Sequence, residues 1–185
     1  MKKIAIVILL FMFLLSSCVK EGGANVAERQ SFFDLKQYFK EEVARLEGGN
    51  IHIKKTITNK GELEQKKISD LDWSEELALF VKGDINKPSF IEKYTIDSTF
   101  GNQGELTQLL YKTEDEAMYT QNLDIEFKDG EVHSIIIVNN VSNAVYASQQ
   151  YLKYIPSIGY SIDKTQDVTL FDKENYKVEV EFMKP

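Results

Sequence analysis

Two histidines, one cysteine and 29 carboxylates are the side chains in this 185-residue sequence that have the chemistry to hold a metal, attack a bond or move a proton. His52 and His133 each fall inside an alternation that reads as a strand, where an imidazole is ordinarily packed or solvated, so neither is assigned to a site. Asp70-x-Asp72-x-Ser74 imitates the opening of a calcium loop, but Glu75 stands where the turn needs glycine and Val81 where a bidentate glutamate belongs. Helix capping accounts for these acids better. A single cysteine excludes a disulfide framework and a thiolate-built zinc site. No G-x-S-x-G, Walker loop, H-E-x-x-H or G-x-G-x-x-G is present. A glycosidase-like acid pair stays open as an alternative, although no spacing singles out two carboxylates. Tyr146, Tyr151, Tyr154 and Tyr160 have the character of a sugar-stacking group; Tyr146 and Tyr154 share strand parity while Tyr151 takes the other, and aromatic filling of a sheet is the favoured reading. Neither a cofactor nor a metal is expected.

The cysteine has a specific setting. Lys2 and Lys3 precede twelve consecutive apolar residues, 4–15. Such a run spans roughly 18 Å as a helix, well short of a ~30 Å hydrocarbon core, and reads as a secretory leader. Leu15-Ser16-Ser17-Cys18 then resembles the lipobox of bacterial lipoproteins at every position: aliphatic, small, small, cysteine. The resemblance implies cleavage before Cys18, a diacylglyceryl group on its sulfur and acylation of its new amino group. Two or three acyl chains anchor stably where one does not. Residues 1–17 are therefore expected to be a lipoprotein signal peptide, and 18–27 the acylated cysteine and its tether. Nine residues beyond Cys18 reach at most roughly 30 Å, which keeps the folded part close to the bilayer. Val19 rather than aspartate follows the cysteine, which by analogy with other diderms points to the outer membrane.

The remaining chain is ordinary in composition. Hydrophobic residues make up 43% of the whole sequence, and the 168 residues after the leader suit one domain, expected over 28–185. Removing Lys2 and Lys3 takes the 22 basic residues to 20 against 29 acidic ones, a net charge of −9. Phosphate binding rests on a surplus of Lys and Arg, so no nucleic-acid partner is expected.

Periodicity supplies the elements. Phe32, Leu35, Phe39, Val43 and Leu46 form one helical face, with Ser31 as the expected N-cap and Gly48-Gly49 as the stop. Ile51, Ile53 and Ile57 alternate up to Asn59-Lys60-Gly61, and a polar return strand runs to Ile68, which predicts a hairpin. Asp72 to Glu75 fits a capping box that opens a second helix, with Trp73, Leu77 and Phe80 inward and Pro88 as its bound. Strands are predicted at 90–96, 106–112, 118–127, 132–138, 145–155, 168–171 and 176–182, with Asp129-Gly130 as a hairpin turn. Ile135-Ile136-Ile137-Val138 is apolar on both faces and predicts a central strand.

Eight or nine strands at ~4.8 Å make a sheet about 40 Å wide, and two helices at ~10 Å each cover about half of it. The expected fold class is α+β: two N-terminal helices packed on a curled, mostly antiparallel β-sheet, half-barrel-like. In architecture this resembles the lipoprotein-carrier fold, which implies a carrier for a lipid or other hydrophobic ligand in the groove of the sheet. The segments Asp72-Trp73-Ser74-Glu75-Glu76-Leu77, Asp84-Ile85-Asn86-Lys87-Pro88 and Ser148-Gln149-Gln150-Tyr151 resemble pieces of envelope lipoproteins from Bacteroidota, a resemblance that brings no activity with it. Asp97-Ser98-Thr99 resembles the short acceptor pattern for O-glycosylation of exported proteins in that phylum, which implies a glycan on Ser98. The sequence thus predicts a membrane-anchored envelope lipoprotein with a non-catalytic binding or interaction domain. Its partners are the membrane, through acyl chains on Cys18, and a protein or hydrophobic ligand. The alternatives are the carrier and a small hydrolase using acidic residues.

Overall fold

Asp34 opens the first helix, α1 (Leu35–Gly48), by accepting the Gln37 backbone N–H on its Oδ1 at 2.8 Å. The inward face is Leu35, Phe39, Glu42 and Leu46, and the Gly49 N–H closes the end on the Leu46 carbonyl. The expected cap at Ser31 is replaced by Asp34, three residues on, because Phe32 leaves the helical face. It packs instead edge-on against Tyr94 and Tyr111, with ring centroids 5.8 and 5.5 Å away. The computed structural model describes residues 32–169 and 173–183; Ser31, the leader, Cys18 and the tether lie outside the described residues.

A hairpin follows, β1 (His52–Asn59) and β2 (Glu62–Ile68), turning on Lys60 and Gly61 with φ of 50° and 85°. Two successive positive φ values match the right-handed strand twist, so the Asn-Lys-Gly signal is fulfilled. Asp72 then caps α2 (Trp73–Lys82) through the Glu75 N–H at 3.0 Å, and Trp73, Leu77 and Phe80 turn inward as expected. A 3₁₀ turn at Pro88–Phe90 precedes β3 (Thr95–Phe100), β4 (Leu106–Lys112), β5 (Thr120–Lys128), β6 (Glu131–Ser142), β7 (Tyr146–Ile155), β8 (Gly159–Val168) and β9 (Glu174–Met183).

Two strand assignments needed correction. The strand expected at 90–96 lies later, at β3, because Phe90 belongs to the 3₁₀ turn begun by Pro88. The strand expected at 168–171 is met by β8, which starts at Gly159 and ends at Val168; Thr169 lies in a turn, and 170–171 are outside the described residues. Asp129-Gly130 does form the β5–β6 turn, again with two positive φ values, 54° and 82°.

All nine strands pair antiparallel in one sheet, in the order β2-β1-β9-β8-β7-β6-β5-β4-β3, and the ends do not pair with each other. Among the described residues the fold is α+β, with two α-helices on an unclosed sheet. One transverse row, Ile96–Tyr111–Leu123–Ile137–Leu152–Ile162–Val178–Ile57, carries the core of the helix-covered face in register across eight strands. Gly83, ending α2, sits so close to β6 that a Cβ there would lie 2.9 Å from Ile137 Cδ1. The 135–138 run is inside the sheet, between β5 and β7, but it is not buried on both faces. Ile135 and Ile137 are fully buried under the helices, whereas Ile136 and Val138 are half-buried on the other side, where no helix lies among the described residues. Among the described residues, no helix is long and apolar enough to cross a membrane.

Candidate functional site

Two glutamates lie against the core, and both meet tyrosines of the sheet. Glu42 points from α1 into the core, where it accepts the Tyr154 hydroxyl and both ends of the Arg45 guanidinium, at 2.8 and 2.7 Å. Glu76 of α2 accepts the Tyr160 hydroxyl and the Lys55 ammonium, at 2.5 Å for the latter. Tyr154 and Tyr160 face each other across β7 and β8. Burial, followed by the hydrogen bond to its glutamate, pushes each of these phenols far above the ordinary tyrosine range. Arg45 is held above its usual value chiefly by its hydrogen bond to Glu42, and Tyr38 is raised chiefly by burial. Each carboxylate thus meets a phenol and a cation; on Glu76 both fall on Oε1. The arrangement pins α1 and α2 to the sheet.

A second polar joint closes the end of α2. Thr120 Oγ1 donates to the Gly83 carbonyl at 3.1 Å and lies 3.0 Å from Asn139 Oδ1, while the Tyr94 hydroxyl donates to the Thr120 carbonyl at 2.6 Å. Gln150 Oε1 accepts the Tyr119 hydroxyl at 3.0 Å. These groups satisfy an otherwise orphaned helix terminus, and that is their chemistry.

The helix-free face is different. Because Ile137, Leu152, Ile162 and Val178 point to the helices, their neighbours along each strand point away. Two rows result. Asn140–Gln149–Thr165–Asn175 runs across β6, β7, β8 and β9, and Val138–Tyr151–Asp163–Lys177–Thr58 runs beside it and reaches β1. A cavity of about 490 Å³ opens among Thr58, Asp163, Asn175 and Lys177, and a second of about 330 Å³ among Asn140, Ser142, Gln149 and Asp167. Thr165 and Lys173 line both, so the two adjoin. Thr165 Oγ1 donates to Asn175 Oδ1 at 3.1 Å. Asn140 Oδ1 and Ser148 Oγ, both in residues lining the second cavity, are buried without a hydrogen-bond partner. Such groups are expensive to bury unmet. The surface can offer amides, hydroxyls and single charges of either sign to a polar ligand.

The residues singled out in the sequence scatter. Cys18 lies outside the described residues. Ser98 is exposed on β3, an edge strand, and opposite Leu109; the whole Asp97-Ser98-Thr99 triplet lies within the strand. His133 is exposed beside a register shift between β5 and β6. His52 pairs with Met183 at the start of β1, its Nδ1 buried and unpartnered. Asp72 is consumed by its helix cap, and among the described residues no group of three or more His, Cys, Asp and Glu could hold a metal ion. The four tyrosines do not converge: Tyr154 and Tyr160 are buried under the helices, whereas Tyr151 is 40% exposed on the opposite face. Asn140, Gln149, Thr165 and Asn175 were not singled out, since only strand register aligns them. No protein-family model, no curated protein and no solved structure matches this chain significantly.

Proposed function

We propose that this protein is a lipid-anchored lipoprotein of the bacterial cell envelope whose domain binds a ligand on the helix-free face of its sheet and catalyses nothing. The anchor rests on Leu15-Ser16-Ser17-Cys18, where the only cysteine of the chain occupies the position that the lipobox pattern demands. Val19 after it favours the outer membrane of a diderm. The observation that carries the binding role is the pair of adjoining polar cavities, with the buried Asn140 Oδ1 left without a partner at their lining. Depressions that bring a few polar groups together are where a ligand is held and oriented.

The sheet curls around its two helices in a half-barrel, since a buried row eight strands wide needs more cover than two flat-lying helices give. A carrier that used this concave side would have to displace side chains already packed there. Phe39, Phe80, Tyr154 and Tyr160 fill it with ring centroids 5.1–5.8 Å apart. A hydrolase would need a pair of carboxylates free to act side by side, whereas Glu42 has both oxygens bonded and Glu76 gives its Oε1 to Tyr160 and Lys55. Palmitate labelling tests the anchor: wild type should be labelled and shortened, and Cys18→Ala should be neither. A Cys18→Ala variant matured and labelled like wild type would end this reading.

A further inference from the structure

We infer that the ligand of the helix-free face is a linear glycan, laid across the strands from β6 to β1. This rests on the binding role proposed above and adds the chemical class. The row Asn140–Gln149–Thr165–Asn175 presents amides and hydroxyls, each a donor, an acceptor or both, one per strand. Adjacent strands stand ~4.8 Å apart, so β6 to β1, four steps, spans about 19 Å. That interval is close to the length of one hexose in an extended chain, so successive sugars meet successive side chains. Tyr151, one row over and 40% exposed, offers a ring to the C–H face of a pyranose and a hydroxyl to its edge.

Other classes fit less well. Protein partners are gripped by apolar anchors seated in dry pockets, whereas this trough is lined by Asn, Gln, Thr, Asp and Lys. The charges in it are of both signs: Lys60, Lys164, Lys173 and Lys177 stand against Asp163 and Asp167, and two of the lysines are already paired, Lys60 with Glu174 at 2.7 Å and Lys177 with Glu179 at 2.8 Å. A mixed lining of this kind suits a neutral polyhydroxylated chain better than a polyanion, and the net charge of −7 also disfavours nucleic acid.

Photo-crosslinking of the full chain in its native cells tests this. A benzophenone side chain is placed at Gln149, in the trough, and in a second strain at Lys40, exposed on α1. Irradiation should give an adduct at position 149 and not at 40, with the attached material resisting protease and collapsing under periodate. Tyr151→Ala, a surface change that spares the core, should lower the adduct yield at least tenfold. A protease-sensitive, periodate-resistant adduct at 149 would overturn the glycan and leave the binding role standing. No adduct, or equal adducts at 149 and 40, would overturn both.

Discussion

Ile136 and Ile137 are neighbours of the same residue type, and the account assigns them opposite sides of one strand. Ile137 is fully buried, between Leu123 and Leu152 and hard against the Gly83 turn that ends α2. Removing three carbons there leaves a hole that a helix end at contact distance cannot fill by small shifts. Ile137→Ala should therefore cost about 3–4 kcal/mol, inside the range for buried Ile truncations. Ile136 is half-buried on the helix-free face between Asp124 and Lys153, where water fills the vacated volume. Ile136→Ala should cost about 1 kcal/mol or less. At ~2–4 °C per kcal/mol for a domain of this size, the melting temperatures should fall by roughly 10 °C and by about 3 °C. Urea midpoints followed by circular dichroism give the same comparison without heating. Equal shifts, or a larger one for Ile136, would refute the face assignment and with it the open face on which the binding role depends.

Three further outcomes follow from the same geometry. Tyr154→Phe and Tyr160→Phe should each cost about 1.5–3 kcal/mol, since each strips a hydroxyl from a buried carboxylate; urea midpoints unchanged by both would show that the helices are not pinned through Glu42 and Glu76. Burial first, with the charge of Asp115 behind it, pushes the Tyr94 phenol up to about 12, above its ordinary 10. A group raised on folding contributes its stability below the unfolded value and loses it as pH climbs through the folded one. The urea midpoint should therefore hold between pH 7 and 9 and fall between 10 and 12, and a fall already complete at pH 9 would contradict the assignment. Ser98, exposed on an edge strand, should carry a glycan in the native host: the intact mass of the mature protein should exceed polypeptide plus lipid, and Ser98→Ala should lose the increment; a mature mass equal to polypeptide plus lipid alone would refute it.

Local chemistry was legible in the sequence, and pairing was not. The Asp72 cap, the glycine stops and the Lys60-Gly61 and Asp129-Gly130 turns are read over three or four residues, where backbone preference decides. β8 escaped because its buried side chains, Tyr160 and Ile162, sit at one end of a strand otherwise made of Asp, Lys, Gln and Thr. Its start depends on Gly159, whose φ of 149° lets the chain pass so close to β9 that a Cβ would lie 1.9 Å from the Val180 carbonyl oxygen. No periodicity reports such a contact. Glu42 with Tyr154 and Glu76 with Tyr160 are 112 and 84 residues apart, and each reads alone as a helix-surface acid or a sheet aromatic. The polar trough needs the register of five strands at once, because a slip of one residue would turn Gln149 and Thr165 toward the helices.

Covalent footprinting of lysines in the native envelope tests the central claim most directly. Acetylation with a membrane-impermeant reagent, read by mass spectrometry, is compared between the lipoprotein in its membrane and the same protein purified in detergent. If the helix-free face is occupied, Lys173 and Lys177, which line the trough, should react several-fold less in the envelope, while Lys36 and Lys40 on α1 react alike in both. Protection that falls on Lys36 and Lys40, or on none of the four, would contradict the account.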